Sequence, residues 1–210
     1  MKFIIFVEGK TERNILSDFI RRFLNVKFND NIGVQIVKFN GWPDFKKGIA
    51  KKVNIHLKSP KKDEIIAAIG LLDLYGPTFF PEDKKTALER YDWGKKYFED
   101  EIVGQSKYKH FFAVHETEAW LLSDTKIFPL EVAKAISDKF QKPETVNFDN
   151  PPAKLLDNLY SQHLNRSYKK TVDGKSLFTK LEPETAMKKC PKLNEFLNEL
   201  VNLANEAGIK

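Results

Sequence analysis

Cysteine is nearly absent from this chain. Cys190 is the single one in 210 residues, so no internal disulfide can form and a disulfide-built secreted scaffold is excluded. Histidine is scarce, with four, and no Cys/His set has the spacing of a zinc site. Long apolar runs are missing, which excludes a spanning helix, and the N-terminus lacks the apolar stretch and cleavage site of a signal peptide. A cytoplasmic protein with no membrane partner is expected. Internal repeats and low-complexity tracts are also missing. One further gap lies inside a motif. The stretch FVEGKTE, residues 6–12, contains Gly-Lys-Thr, but a Walker loop needs an earlier glycine five positions before Gly9. Ile4 stands there, inside an apolar run, so a phosphate loop of that kind is rejected.

What is present is an ordinary globular composition, 41% hydrophobic and 30% charged, long enough for one generous domain. The formal net charge is +6, a balance that suits a polyanionic partner, DNA or RNA. The lysines come in pairs, among them Lys46 with Lys47, Lys51 with Lys52 and Lys84 with Lys85. Each pair alone reads first as a solvated helix face, and lysine richness is also a habit of thermophile chains.

Hydrophobic periodicity gives the order of elements. Lys2 to Val7 is a buried strand. Thr11 is expected to cap a helix over Glu12–Leu24. Gly33–Phe39 is a second strand, and Pro43 opens a helix to Leu57. Ile65–Leu72 is almost continuously apolar and reads as a central strand buried on both faces. A helix is expected over Lys84–Val103, a strand over Tyr108–Val114 and a helix over Glu116–Leu122. This alternation predicts an α/β fold with a mainly parallel four-stranded sheet flanked by helices. After residue 125 the strands stop, and helical patterns cover Leu130–Phe140, Pro152–Leu164 and Pro191–Ala207. Residues 1–125 are therefore expected to form the α/β core. Residues 126–210 form a helical extension packed on it or lidding it, with Lys142–Pro152 as the hinge candidate and Asn165–Lys175 as a polar stretch.

The chemistry-bearing residues fall at the carboxyl ends of the strands, where open α/β sheets bind ligands. Glu8 ends the first strand and Asp73 the third, in GLLDLYG. His115, Glu116 and Glu118 follow the fourth, in FFAVHETEAWLL, and Glu12 lies in the first turn of the first helix. Glu12 and Glu118 also read as first-turn helix acids, and His115 as a satisfied strand-end histidine. Asp73 and Glu8 are harder to explain that way, because an acid directly after a buried strand is costly unless paired or bound. Carboxylate oxygens suit Mg²⁺ or Mn²⁺. The metal candidates are thus Glu8, Glu12, Asp73, Glu116 and Glu118, and a second ion on Glu116 and Glu118 fits two-ion phosphodiester chemistry.

These same residues carry a resemblance. FVEGKTE resembles the first motif of Toprim domains. The ordered series VEGKTE, DLYG, HETEAWLLSD, PPAKLL and CPKLNEFL resembles a Toprim-like family with the same motifs in a chain of about this length. The resemblance implies a Toprim fold and a distant link to the nucleases of the overcoming-lysogenization-defect type. By position it implies that Glu8 acts as metal ligand and general acid or base, and Asp73 as the first metal aspartate. The usual Asp-x-Asp is broken by Tyr75. Either a lone aspartate suffices, or Glu116 and Glu118 supply the second carboxylate. Such nucleases use a lysine from beyond the sheet at the phosphate, a role for which Lys154 and Lys169 are the candidates. Lys10 sits beside Glu8, and Tyr75 and Trp120 read as core or rim packing before base stacking. A metal-dependent nuclease is expected, with a partner ATPase as a further expectation from relatives that carry one. The alternative is a non-catalytic module that holds nucleic acid, nucleotide or a partner protein.

Overall fold

The computed structural model describes residues 1–102, 104–136, 142–145 and 151–210, with the side chains of residues 10–14 outside that description. Four strands form the sheet: β1 (Lys2–Val7), β2 (Gly33–Lys38), β3 (Ile65–Asp73) and β4 (Tyr108–Ala113). They are hydrogen-bonded in the order β2-β1-β3-β4, and every pairing is parallel. The expected four-stranded parallel sheet flanked by helices is present.

The strands read as they do because the sheet is covered on both faces. Ile65–Leu72 is buried throughout. Phe3, Ile5 and Val7 join one apolar cluster with Leu71 and Phe111, while Ile4 and Phe6 join a second with Leu72 and Phe112. That alternation is the pleat of a strand. The first face carries α1 (Lys10–Lys27) and the second carries α2 (Trp42–Leu57) and α3 (Ala87–Glu101).

Beyond β4 come α4 (Glu118–Leu121), α5 (Leu130–Ala135), α6 (Pro152–Leu164), α7 (Lys175–Lys180), α8 (Pro183–Lys189) and α9 (Pro191–Glu206). Trp120, Leu156, Phe178, Ala186 and Phe196 from these helices join the cluster of the α1 face. The residues after 125 therefore share a core with the sheet.

Several boundaries differ from the sequence expectations. Helix α1 starts at Lys10 with Gly9 as its N-cap, ahead of Thr11. Helix α3 starts at Ala87, not Lys84, because Thr86 and Glu89 form a reciprocal capping box that stops the helix there. The helix expected over Leu130–Phe140 ends at Ala135 within the described residues; residues 137–141 lie outside them. The polar stretch Asn165–Lys175 is not plain loop. It holds a π-helical turn, Lys170–Gly174, that runs into α7. Part of the hinge candidate, residues 146–150, lies outside the described residues, and Pro143–Thr145 is a 3₁₀ turn.

Candidate functional site

The sheet order reverses at its centre. From β1 the chain crosses to β2 on one side and then to β3 on the other, so a crevice opens above the carboxyl ends of β1 and β3. Glu8 leaves β1 and Asp73 ends β3 at that crevice. Val7 pairs with Leu71, on strands about 4.8 Å apart. By strand alternation Asp73 leaves on the α1 face, and Glu8 follows directly on Val7 at the exit of β1, where its backbone O accepts from Gly41 N at 3.0 Å.

Asp73 is held in place by the loop after β4. Ala113 O accepts from Leu74 N at 2.9 Å, and His115 O accepts from Tyr75 N at 2.7 Å, so the two strand exits run side by side. His115 then takes a positive φ of 65°. That conformation is uncommon for a residue with a Cβ and is a form of local strain typical of functional turns. Its ring Nε2 donates to Glu144 O at 3.2 Å. The reversal at His115 carries Thr117 back over β3, where its amide donates to Asp73 Oδ1 at 3.0 Å.

Below Asp73 lies an ion pair between a buried carboxylate and a half-buried lysine. Lys170 Nζ is 3.1 Å from Glu118 Oε2 and 3.8 Å from Asp73 Oδ2. Thr117 Oγ1 also donates to Glu118 Oε2 at 3.3 Å. Glu118 is 1% exposed and the Asp73 side chain 15%. A buried carboxylate without a cation would be costly, and Lys170 supplies one. The cavity along Ile15, Thr117, Glu118, Lys170 and Phe178 measures only about 10 Å³, room for about one water. Glu118 thus faces Lys170 away from solvent, while Asp73 and Lys170 keep partial exposure.

Glu116 points elsewhere. Its Oε2 accepts from Ala153 N at 2.8 Å, in the first turn of α6. Burial pushes its carboxyl above the usual range; the Ala153 amide opposes that and the neighbouring Glu118 adds to it. A carboxylate at a helix N-terminus satisfies an otherwise orphaned amide. Lys154 is exposed in that same turn. Lys169 is exposed too, and its backbone N–H donates to Asp173 Oδ2 at 2.8 Å.

The structure therefore brings Asp73, Thr117, Glu118 and Lys170 together, places Glu8 at the exit of the neighbouring strand β1 and gives Glu116 to α6. The side chain of Glu12 lies outside the described residues; its backbone is in the first turn of α1. Among the described residues no group of three or more His, Cys, Asp or Glu side chains gathers as a metal cluster. Trp120 is core, stacked on Phe19 with ring centroids 5.8 Å apart, while Tyr75 is 40% exposed. Lys170 escaped sequence reasoning, which chose its neighbour. A signal lay in Asp173 and Gly174. Arg166 pairs with both carboxylate oxygens of Asp173 at 2.8 and 2.9 Å, and this closes the turn that turns Lys170 inward.

An all-parallel sheet with a central reversal defines a doubly wound α/β protein, and its acids at the reversal form the candidate site. The chain belongs to the family described as domain of unknown function DUF4276, whose profile matches residues 7–201. Among solved structures it is similar to the C-terminal region of the Burkholderia pseudomallei OLD protein, at 19% identity over 95% of this chain and 98% of that one, with a TM-score of 0.46. It is also similar to the C-terminal region of the Xanthomonas campestris pv. campestris OLD protein, at 15% identity over 97% and 94% of the two chains, with a TM-score of 0.43. A comparison with curated proteins finds no match. Among the described residues no helix is long and apolar enough to cross a membrane.

Proposed function

We propose that the chain is a Mg²⁺- or Mn²⁺-dependent phosphodiesterase acting on nucleic acid. The observation that carries this reading is Asp73. It is a mostly buried carboxylate at the switch point, oriented by the Thr117 amide, with Glu8 on the adjacent central strand. A donor set of two carboxylates fits Mg²⁺, which often takes one or two protein carboxylates and completes its shell with water and phosphate. Glu8 and Asp73 would hold the ion, which when bound supplies charge stabilisation at the phosphoryl oxygen.

The remaining roles belong to the chain. Glu8, at the exit of the neighbouring strand β1, accepts the proton of the attacking water. Thr117 keeps Asp73 from turning away, and the Lys170–Glu118 pair supports it from below. Lys154 and Lys169, both exposed, steady the phosphate, and the motif resemblance to Toprim nucleases supports the same assignment. A partner ATPase supplied by another chain belongs to this proposal, and its sign is an ATPase that co-purifies.

The test is cleavage of plasmid and single-stranded substrates in Mn²⁺ by the wild type, Glu8→Gln and Asp73→Asn. Each substitution is expected to lower the rate by about a hundredfold or more. Mn²⁺ is expected to raise the Tm of the wild type and not that of Asp73→Asn. Cleavage that survives both substitutions is contamination and ends the enzyme reading.

Two observations favour a second reading, a binding module that does not cut. The ammonium of Lys170 already neighbours Asp73 and Glu118, and Tyr75 stands where Toprim domains carry a second aspartate. Salt-dependent binding of nucleic acid with no cleavage in Mg²⁺ or Mn²⁺ would select it.

A further inference from the structure

A second cavity, of about 560 Å³, opens beside the carboxyl end of the edge strand β4. This volume is ordinary for a small-molecule site. Its walls include the apolar side chains of Leu88, Val114 and Pro191 and the residue Tyr91. Four lysines also line it, Lys142, Lys188, Lys189 and Lys192. Among the described residues no acid pairs with Lys142, Lys188 or Lys189. Glu144 is the acid in the wall, and its carboxylate is taken by the amides of Lys192 and Leu193, at 2.8 and 3.1 Å, at the start of α9. Tyr91 is 1% exposed, and among the described residues its hydroxyl has no hydrogen-bond partner. An unmet buried hydroxyl is costly and rare in a settled core.

Apolar walls do not suit a bare inorganic anion, and a lysine rim does not suit a neutral apolar molecule. A flat ring joined to a phosphate suits both. The cavity also adjoins the crevice. Val114 lines it and Thr117 holds Asp73, and three residues of chain span at most about 11 Å. Stacked nucleotides advance about 3.4 Å each along a strand, so a few nucleotides of one strand bridge the two places.

We propose that this cavity receives a nucleoside phosphate, its ring against Leu88, Val114 and Tyr91 and its phosphate on Lys142, Lys188 and Lys189. The ligand is either a free nucleotide or one unit of a strand. The strand form deepens the phosphodiesterase reading and rests on it, whereas the free form does not.

The experiment is titration in EDTA, without metal, by ¹H–¹⁵N NMR. The probes are adenosine 5′-monophosphate, inorganic phosphate and a five-nucleotide single strand. The proteins are the wild type, Asp73→Asn, Tyr91→Phe and the doubly charge-reversed Lys188→Glu, Lys189→Glu. The mononucleotide is expected to bind about tenfold more tightly than phosphate, with shifts on Val114 and Leu88. Charge reversal is expected to weaken it at least about tenfold, and Tyr91→Phe about threefold. In EDTA, Asp73→Asn is expected to leave the mononucleotide's affinity unchanged; a mononucleotide affinity that follows Asp73→Asn would place the ligand in the metal crevice and overturn the proposal. If the single strand binds with these sensitivities and the mononucleotide does not, the ligand is a strand unit and the proposal stands. Equal affinity for phosphate and mononucleotide overturns it, as does binding that ignores the charge reversal. No binding of any probe to a folded wild type overturns it as well.

Discussion

At the scale of single residues, His110 carries a clear thermodynamic signature. His110 is fully buried in β4, hydrogen-bonded to the Tyr108 hydroxyl at 2.8 Å and stacked on Phe98 at 4.2 Å between centroids. Burial holds its imidazole well below the usual histidine range, and Lys95 pushes the same way. His115 is lowered by burial too, with its bond to the Glu144 carbonyl opposing. The unfolded chain takes up a proton near pH 6.5 while folded His110 does not, so the stability is full above that pH and is lost as the pH falls toward the depressed value. Denaturant unfolding at pH 7.5 and 5.5 is expected to show a loss on the order of 1 kcal/mol from His110. In His110→Phe the slope with pH is expected to be shallower, whatever its stability at pH 7.5; an equal slope in both proteins would refute the assignment. Sequence reading singled out Glu8 and Asp73 because a charged residue after an apolar strand is conspicuous. It missed Lys170 because Lys169 and Lys170 are adjacent and identical. Only the turn closed by Arg166 and Asp173 decides which of the two faces the acids.

At the scale of elements, the strands were legible, and so were α4 and α5 within longer expected helices, whereas α7 and α8 were not. Burial on both faces gives an uninterrupted apolar run, and Ile65–Leu72 shows it without ambiguity. Helices α7 and α8 have six and seven residues, too few turns to establish a helical period. The capping box at Thr86 and Glu89 was written in the sequence as Thr-x-x-Glu, but lysines before it extend a plausible helical pattern. One residue inside β3 illustrates how strands constrain each other. Gly70 lies opposite His110 in the β3–β4 register, and a Cβ there would collide with His110 Nδ1 and the Tyr108 hydroxyl. Glycine weakens a strand interior, so a close neighbour is a physical reason for it. Gly70→Ala is expected to cost about 3 kcal/mol, which for a chain of this size lowers the Tm by roughly 6–12 °C. A thermal melt showing no change would mean that the Tyr108–His110 pair yields easily.

At the scale of the whole molecule, the sheet separates two clusters, and the helices after residue 125 add to only one of them. Sequence pattern gave those helices as helices, but their docking face was not written in any local period, since it depends on which side of β3 and β4 they return to. The return of α9 has a further consequence. The amide of Gly33 donates to Met1 O at 3.0 Å, and those of Asn29 and Asp30 donate to Lys210 O at 2.9 and 3.0 Å, so both extremities meet at the loop before β2. That loop lies at the amino end of the strands, opposite the crevice. A short glycine-serine bridge from Lys210 to Met1, with new ends cut at the exposed Lys58–Lys62 turn, is expected to give a permuted chain with the wild-type circular dichroism spectrum. Fusion partners attached at either end would likewise hang from the far pole and leave the mouth open.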